Sequence, residues 1–184
     1  NASRSSDGGA WSGTTLPASG NWSAVSYGNG TFVAVCSGSN NGAYTTDGNT
    51  WIASTLPGSN AAWTDVAFGY TNAASGTWVA VSTTSSTVGA VSTNNGQTWT
   101  LTTLPSASNW VAVAYGNSRF VAVATGGTTA AYSLDGVTWY AAILPASATW
   151  TDISYGQGQF MIVGTSTSTA LFSPDGVNWT VRTL

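Results

Sequence analysis

The sequence predicts an all-β fold made of a repeated four-stranded antiparallel unit, and three observations predict it. Tryptophan recurs at Trp11, Trp51, Trp99, Trp139 and Trp179, at spacings of 40, 48, 40 and 40 residues, which is the range of a repeat architecture. The runs between these positions are rich in Val, Thr, Trp, Tyr and Phe, and none of useful length carries the 3.6-residue period of an amphipathic helix. Gly, Asn, Asp or Pro stands at every boundary.

Each unit reads in one order: W-x4-LP, then W-x2-[VI]-x-[YF]-G, then [FW]-[VM]-[AI]-V, then [ST]-x-D-G-x-[TN]-W. For the third unit the pattern places strands near 110–116, 119–125, 130–134 and 137–144. The 48-residue unit tests the reading, because a true strand repeat takes insertions only in turns. Its extra residues fall between Pro57 and Trp63, between Phe68 and Trp78, before Ser92 and inside "STNNGQTW". Four short strands in about 40 to 45 residues is the size of one β-propeller blade. The chain is therefore expected to be a single β-propeller domain with blades 11–50, 51–98, 99–138 and 139–178, an orphan amino-terminal hairpin in the partial repeat 1–10, and a partial repeat 179–184. It closes as a four-bladed ring capped by the hairpin, as a five-bladed ring with one incomplete blade, as an excerpt of a longer array, or through pairing of the hairpin with a neighbouring chain.

The turns "SSDGGAW", "TTDGNTW", "SLDGVTW" and "SPDGVNW", with "STNNGQTW" one residue longer, carry a more specific signal. They resemble the Asp-box of sialidase-type and related β-propellers, in which this segment folds the hairpin between the third and outer strands of a blade. Asp7, Asp47, Asp135 and Asp175, and Asn94 where that family has Asp, are accordingly expected to make turns: an Asx side chain bonds the turn backbone while Gly accepts positive φ. Tandem units of this kind also look like those of phage tail and secreted bacterial adhesion proteins.

Composition narrows the function. The 184 residues include three Arg, six Asp and no Lys, Glu or His, a net charge of −3. No basic cluster exists to bind a phosphate backbone, so nucleic acid is not an expected partner, and anionic membrane surfaces are disfavoured likewise. No apolar run approaches the roughly 20 residues that span a bilayer, and no basic-then-apolar leader is visible, so the expectation is a soluble domain without membrane insertion. Met161 is the only methionine, so the chain reads as a processed product or an excerpt. Cys36, the only cysteine, stands where other units have Ser82, Ala124 and Gly164, and is expected to be a small buried strand residue.

The sialidase resemblance implies a Tyr nucleophile assisted by Glu, an Asp acid/base and three Arg gripping a carboxylate. Here Glu is absent, and Arg4, Arg119 and Arg182 do not recur at equivalent places; with no His either, no enzyme is expected. Asp65 and Asp152, at one repeat position where the first and third units carry Ala24 and Ala112, fall outside the turn pattern. Hydrogen bonding to backbone or Thr accounts for them. The alternative is a structural cation in the central channel, as the resemblance to four-bladed hemopexin-type propellers suggests; no other cofactor is expected.

The short hydroxyl-rich loops near Trp22, Trp63, Trp110 and Trp150 suit a neutral sugar or cell-surface glycan, unless those rings fill the space between blades. The expected role is thus an adhesion or recognition module on a cell exterior or virion surface. The alternative is a structural subunit that oligomerises or builds filaments through its terminal hairpin. Asn1, Asn21, Asn29 and Asn178 fit the N-glycosylation pattern.

Overall fold

In the computed structural model, which describes residues 2–58, 61–71, 76–84 and 86–184, the chain is all β. Asn1, parts of the loops "GSNAA" and "TTSSTVG", and the centre of the insertion "GYTNAASGT" lie outside the described residues. β1 (Ala2–Arg4) and β2 (Ser12–Thr14) form a two-stranded hairpin. The first blade is β3 (Asn21–Gly28), β4 (Thr31–Ser37), β5 (Asn41–Thr45) and β6 (Ile52–Thr55). The second is β7 (Trp63–Gly69), β8 (Thr77–Ser82), β9 (Ser86–Ser92) and β10 (Thr100–Ser108). β11 (Trp110–Gly116), β12 (Arg119–Ala124) and β13 (Gly127–Ser133) begin the third blade, and the first part of β14 (Trp139–Gly156) completes it. The rest of β14 opens the fourth blade, followed by β15 (Gln159–Thr165), β16 (Thr169–Ser173) and β17 (Thr180–Thr183).

Each sheet thus starts inside a sequence repeat and borrows its outer strand from the opening of the next. β10 and β14 run extended straight through their Leu-Pro steps, where the pattern suggested a break. Pro105 and Pro145 fall in the unpaired stretches between Thr103 and Ser108 and between Ile143 and Ala148, where the register shifts, so no ladder bond is lost.

The register explains the small residue that replaces Cys36 in other units. Trp22 faces Cys36, Trp63 faces Ser82, Trp110 faces Ala124 and Trp150 faces Gly164. A bulky partner would collide with the indole. A bulge follows the Trp each time, shifting the pairing by one and re-aiming the next residues toward the neighbouring blade.

Blades join through a repeated aromatic-on-glycine contact. A Cβ built on Gly28 would fall 2.1 Å from the Phe68 ring, one on Gly69 2.1 Å from Tyr115, and one on Gly116 2.0 Å from Tyr155. Only glycine lets the next blade come this close. The cores lie in these seams: Trp63 and Trp78 pack with Val33 and Val35 of the blade before, and Trp110 and Phe120 with Val79 and Val81.

The inner strands β3, β7, β11 and β14 pack side by side in that order, and the series does not return on itself. Val25 and Tyr27, at its start, are 61% and 60% exposed, and nothing lies within 4 Å of a Cβ placed on Gly156 at its end. The closed four-bladed ring considered from sequence is therefore corrected to an open arc. In each seam the aromatic face of one blade is buried on the glycine-bearing face of the blade before it, and among the described residues the first blade's aromatic face and the fourth blade's glycine face are uncovered.

Candidate functional site

The turn carboxylates are committed to their own hairpins. Ser133 Oγ donates to Asp135 Oδ1 at 3.0 Å, and the same oxygen accepts the N–H groups of Val137 at 2.8 Å and Thr138 at 2.7 Å. Trp139 Nε1 closes the turn on the Gly136 carbonyl at 3.1 Å. Asp7, Asp47 and Asp175 repeat the carboxylate part of this net, and Asn94 forms the longer version through the Thr98 N–H at 3.0 Å; the indole closure recurs at Trp11 and Trp99, while the Nε1 groups of Trp51 and Trp179 have no partner among the described residues. The N–H groups of Asn49 and Thr50 hold Asp47 down at about 2. Burial pushes Asp135 and Asp175 up, but their turn N–H groups outweigh it and both end below the ordinary carboxylate value.

Asp65 does something else. Its Oδ1 accepts the Val66 N–H and its Oδ2 the Val113 N–H of the next blade, both at 2.8 Å. Burial drives its pKa up to about 6, the two N–H groups offset part of that, and the charge of Asp152 adds to it. Asp152 accepts only the Ile153 N–H at 2.8 Å and lies exposed at the end of the arc. The two carboxylates are near enough for the charge of Asp152 to act on Asp65, and no group of three or more His, Cys, Asp or Glu meets among the described residues.

Trp63, Trp110 and Trp150 are 0% exposed, each clamped beneath the adjoining strands. Their faces are closed to a ligand, which corrects the sugar-stacking expectation for these three. Trp22 is different: it is half-buried, its Nε1 donating to the Ala18 carbonyl at 3.1 Å, because no blade covers it. Asn21, Asn29 and Asn178 are exposed, the last donating to Asp175 Oδ2 at 2.8 Å; Asn1 lies outside the described residues.

A concave surface lies beside Trp22. A cleft of about 580 Å³ separates the β1–β2 hairpin from the first blade, with Trp11, Trp22 and Trp51 around it, Val25, Phe32 and Ala34 as an apolar floor, and Arg4, Asp47, Ser5 and Ser23 at its polar positions. Among the described residues β1 pairs with β2 alone, which leaves its other edge unpaired. Sequence reasoning named Trp22 but missed Val25 and Phe32. Their counterparts in other units are core residues, and only the missing neighbour exposes them.

No protein-family model and no curated protein matches the chain. Solved structures do. The virginiamycin B lyase of Staphylococcus aureus superposes with a TM-score of 0.84 at 15% identity over 99% of this chain and 62% of that one. A streptogramin B lyase gives 0.81 at 14% identity over 97% and 60%. YCF48 from Cyanidioschyzon merolae gives 0.68 at 16% identity over 93% and 59%, and YCF48 bound to D1 peptide gives 0.62 at 18% identity over 95% and 57%. This chain spans about three-fifths of the length of each, and at these identities the likeness establishes the propeller fold.

One expectation is corrected by these neighbours. Catalysis was excluded because the sialidase residue set is missing, yet lyases use this same scaffold. The absent Glu, His and Arg cluster therefore speaks only against a sialidase-type reaction.

Proposed function

We propose that the chain is a recognition module, an arc of propeller blades that holds a partner protein against the uncovered face of its first blade. The carrying observation is that face itself: Val25 at 61% exposure and Phe32 floor a cleft bordered by Trp11, Trp22 and Trp51 and by the unpaired edge of β1. An apolar floor beside a free strand edge suits an extended segment, whose backbone pairs with the edge while alternate side chains reach the floor. A propeller of similar fold, YCF48, has been solved bound to a peptide, which supports the reading. The Asp-box-like turns and their counterparts in phage tail and adhesion proteins fit the same role, as does an exterior setting, where a chain with three Arg and no Lys presents few sites to trypsin-like proteases.

A second reading has its own observation. The Trp11, Trp22 and Trp51 rings line the cleft together with the charged side chains of Arg4 and Asp47, and rings flanked by polar groups suit the stacking and hydrogen bonding of a neutral sugar of a cell-surface glycan. Panning displayed random peptides against the chain and against a Val25→Asp, Phe32→Asp variant separates the two. Peptides with alternating apolar residues, retained by the parent and lost on the variant, are expected. If no peptide is enriched, while a neutral-sugar titration shifts tryptophan emission and Trp22→Ala abolishes the shift, the sugar reading replaces the protein one.

A further inference from the structure

The dipeptide Asn-Gly occurs three times in this chain, as Asn29-Gly30, Asn41-Gly42 and Asn95-Gly96. Such a pair can modify itself, because the peptide nitrogen after Asn is placed to attack the side-chain amide carbon and glycine has no Cβ to hinder the approach. Local sequence makes the three pairs equal, and the fold makes them unequal.

Asn41-Gly42 lies within β5, which is paired on both sides, Gly42 standing opposite Val35 and Ser54. Gly42 is buried, and a Cβ there would fall 2.6 Å from Leu56 Cδ1. Asn95-Gly96 lies in the Asp-box-like turn of the second blade. The Gly96 nitrogen already donates to Ser92 Oγ at 3.1 Å, and the buried residue is wedged against Val33 of the blade before. At both places attack has to wait for a sheet or a seam to open.

Asn29-Gly30 is held in neither way. The pair is the turn between β3 and β4, with Gly28 opposite Thr31 and positive φ at both residues, 46° and 73°, the geometry that Asn-Gly favours in a hairpin. Both residues are exposed, and nothing lies within 4 Å of a Cβ placed on Gly30. This exposure belongs to the turn and not to the blade's place in the series: Asn117 and Ser118 form the same turn in the third blade, which has a blade on either side, and they are exposed too. The Asn29 amide also ties two blades together. Its Nδ2 donates to Asn95 Oδ1 of the second blade at 3.2 Å, as Asn117 Nδ2 donates to the Pro174 carbonyl of the fourth at 3.0 Å.

We infer that Asn29 is a site of spontaneous deamidation, the one of the three pairs that converts while the chain stays folded. The Gly30 nitrogen loses its proton and bonds to Asn29 Cγ, the Cγ–Nδ2 bond breaks, and the amide leaves as ammonia, closing a succinimide ring. Solvent water then adds to either ring carbonyl and opens it, to aspartate or, with the main chain rerouted through the side-chain carbon, to isoaspartate. The net change is ammonia exchanged for water, with nothing oxidised or reduced. Either product lacks the N–H that reached Asn95 and sets a carboxylate against its Oδ1 acceptor, and isoaspartate also lengthens the backbone of the turn that fixes the β3–β4 register. Conversion thus unties the first blade from the second at this corner.

The test is peptide mapping of the full chain aged in mildly alkaline buffer. Chymotryptic cleavage puts the three pairs in separate peptides, 28–32, 33–44 and 79–99, so each conversion is read from its own mass gain. In the folded chain peptide 28–32 is expected to convert at least about tenfold faster than either of the others, which wait on local opening. In urea the three rates are expected to converge. Gly30→Ser copies the Asn117-Ser118 turn, where Ser118 holds φ 59°, so this variant folds, and its added Cβ is expected to slow conversion of Asn29 at least about tenfold. Equal rates at the three pairs in the folded chain overturn the inference. So does urea raising the Asn29 rate as much as the other two, or a Gly30→Ser chain that converts as fast as the parent.

Discussion

Tyr155 and Tyr27 hold the same repeat position, the aromatic that precedes the inner-strand glycine, and they meet opposite fates. Tyr155 closes the seam between the third and fourth blades over Gly116, while Tyr27 stands 60% exposed at the start of the arc. The same holds for Trp110, fully buried, against Trp22, half-buried, and for Val113 against Val25. These equivalent residues are core or surface according to whether a blade precedes them. In a quasi-one-dimensional array, stability accrues at the interfaces between units, and the terminal units keep an unsatisfied face.

The widest gap between seam and end is expected at the tryptophans. Trp110→Ala removes a ring with no solvent contact and should cost about 3–5 kcal/mol, whereas Trp22→Ala should cost roughly 1 kcal/mol, because a half-buried ring leaves a space that water already reaches. Urea unfolding of the two variants measures both. Equal losses would mean that the first blade is as well covered as the third, and the comparison would collapse.

A smaller effect distinguishes the buried seam carboxylate from the turn carboxylates by the sign of its pH dependence. Asp65 is raised from 3.8 to about 6, so its contribution is whole below about pH 4 and is lost as pH rises through 6, on the order of 3 kcal/mol. Asp47, lowered to about 2, acts the other way: its contribution is present above about pH 4 and is lost as pH falls toward 2. Resistance to unfolding should therefore peak near pH 4 and decline toward neutrality. In Asp65→Asn the decline between about pH 4 and 7 should vanish, and an unchanged slope would show that the carboxylate is not the cause.

The smallest effect concerns the turns. Asp135→Ala should cost about 1 kcal/mol, since it strips the Val137 and Thr138 N–H groups of their acceptor in a hairpin pressed against the preceding blade. Asp7→Ala removes the same net from an exposed hairpin whose turn glycine has no neighbour within 4 Å, and its Tm should not move measurably. A drop at Asp7 as large as that at Asp135 would show the hairpin to be an integral part of the fold.

Much of this molecule was legible in the chain itself. The tryptophan period, the Asx turns and the insertions confined to boundaries gave the strand count and the blade unit, because hydrogen bonds within a hairpin and the alternation of a pleated strand are local and each repeat states them again. Asp65 and Asp152 stood out as the carboxylates the turns leave unexplained. The role of Asp65 did not show, because its partner Val113 is a backbone N–H in another blade and carries no sequence mark. The glycine after each aromatic was visible as a pattern, but only the seam shows that it is a socket.

What the sequence by itself determined is therefore the unit: which residues form strands, where they turn, and which carboxylates and indoles close each hairpin. Tertiary structure decided how units meet, and with that which copies of a repeated residue are buried. It placed Trp63, Trp110 and Trp150 beyond the reach of a ligand, opened the first blade around Trp22 and Val25, and left Gly156 without a ring above it. The reason is physical. Turn and strand formation depend on neighbours in the chain, which every repeat carries, whereas burial depends on neighbours in space, which the ends of an arc lack.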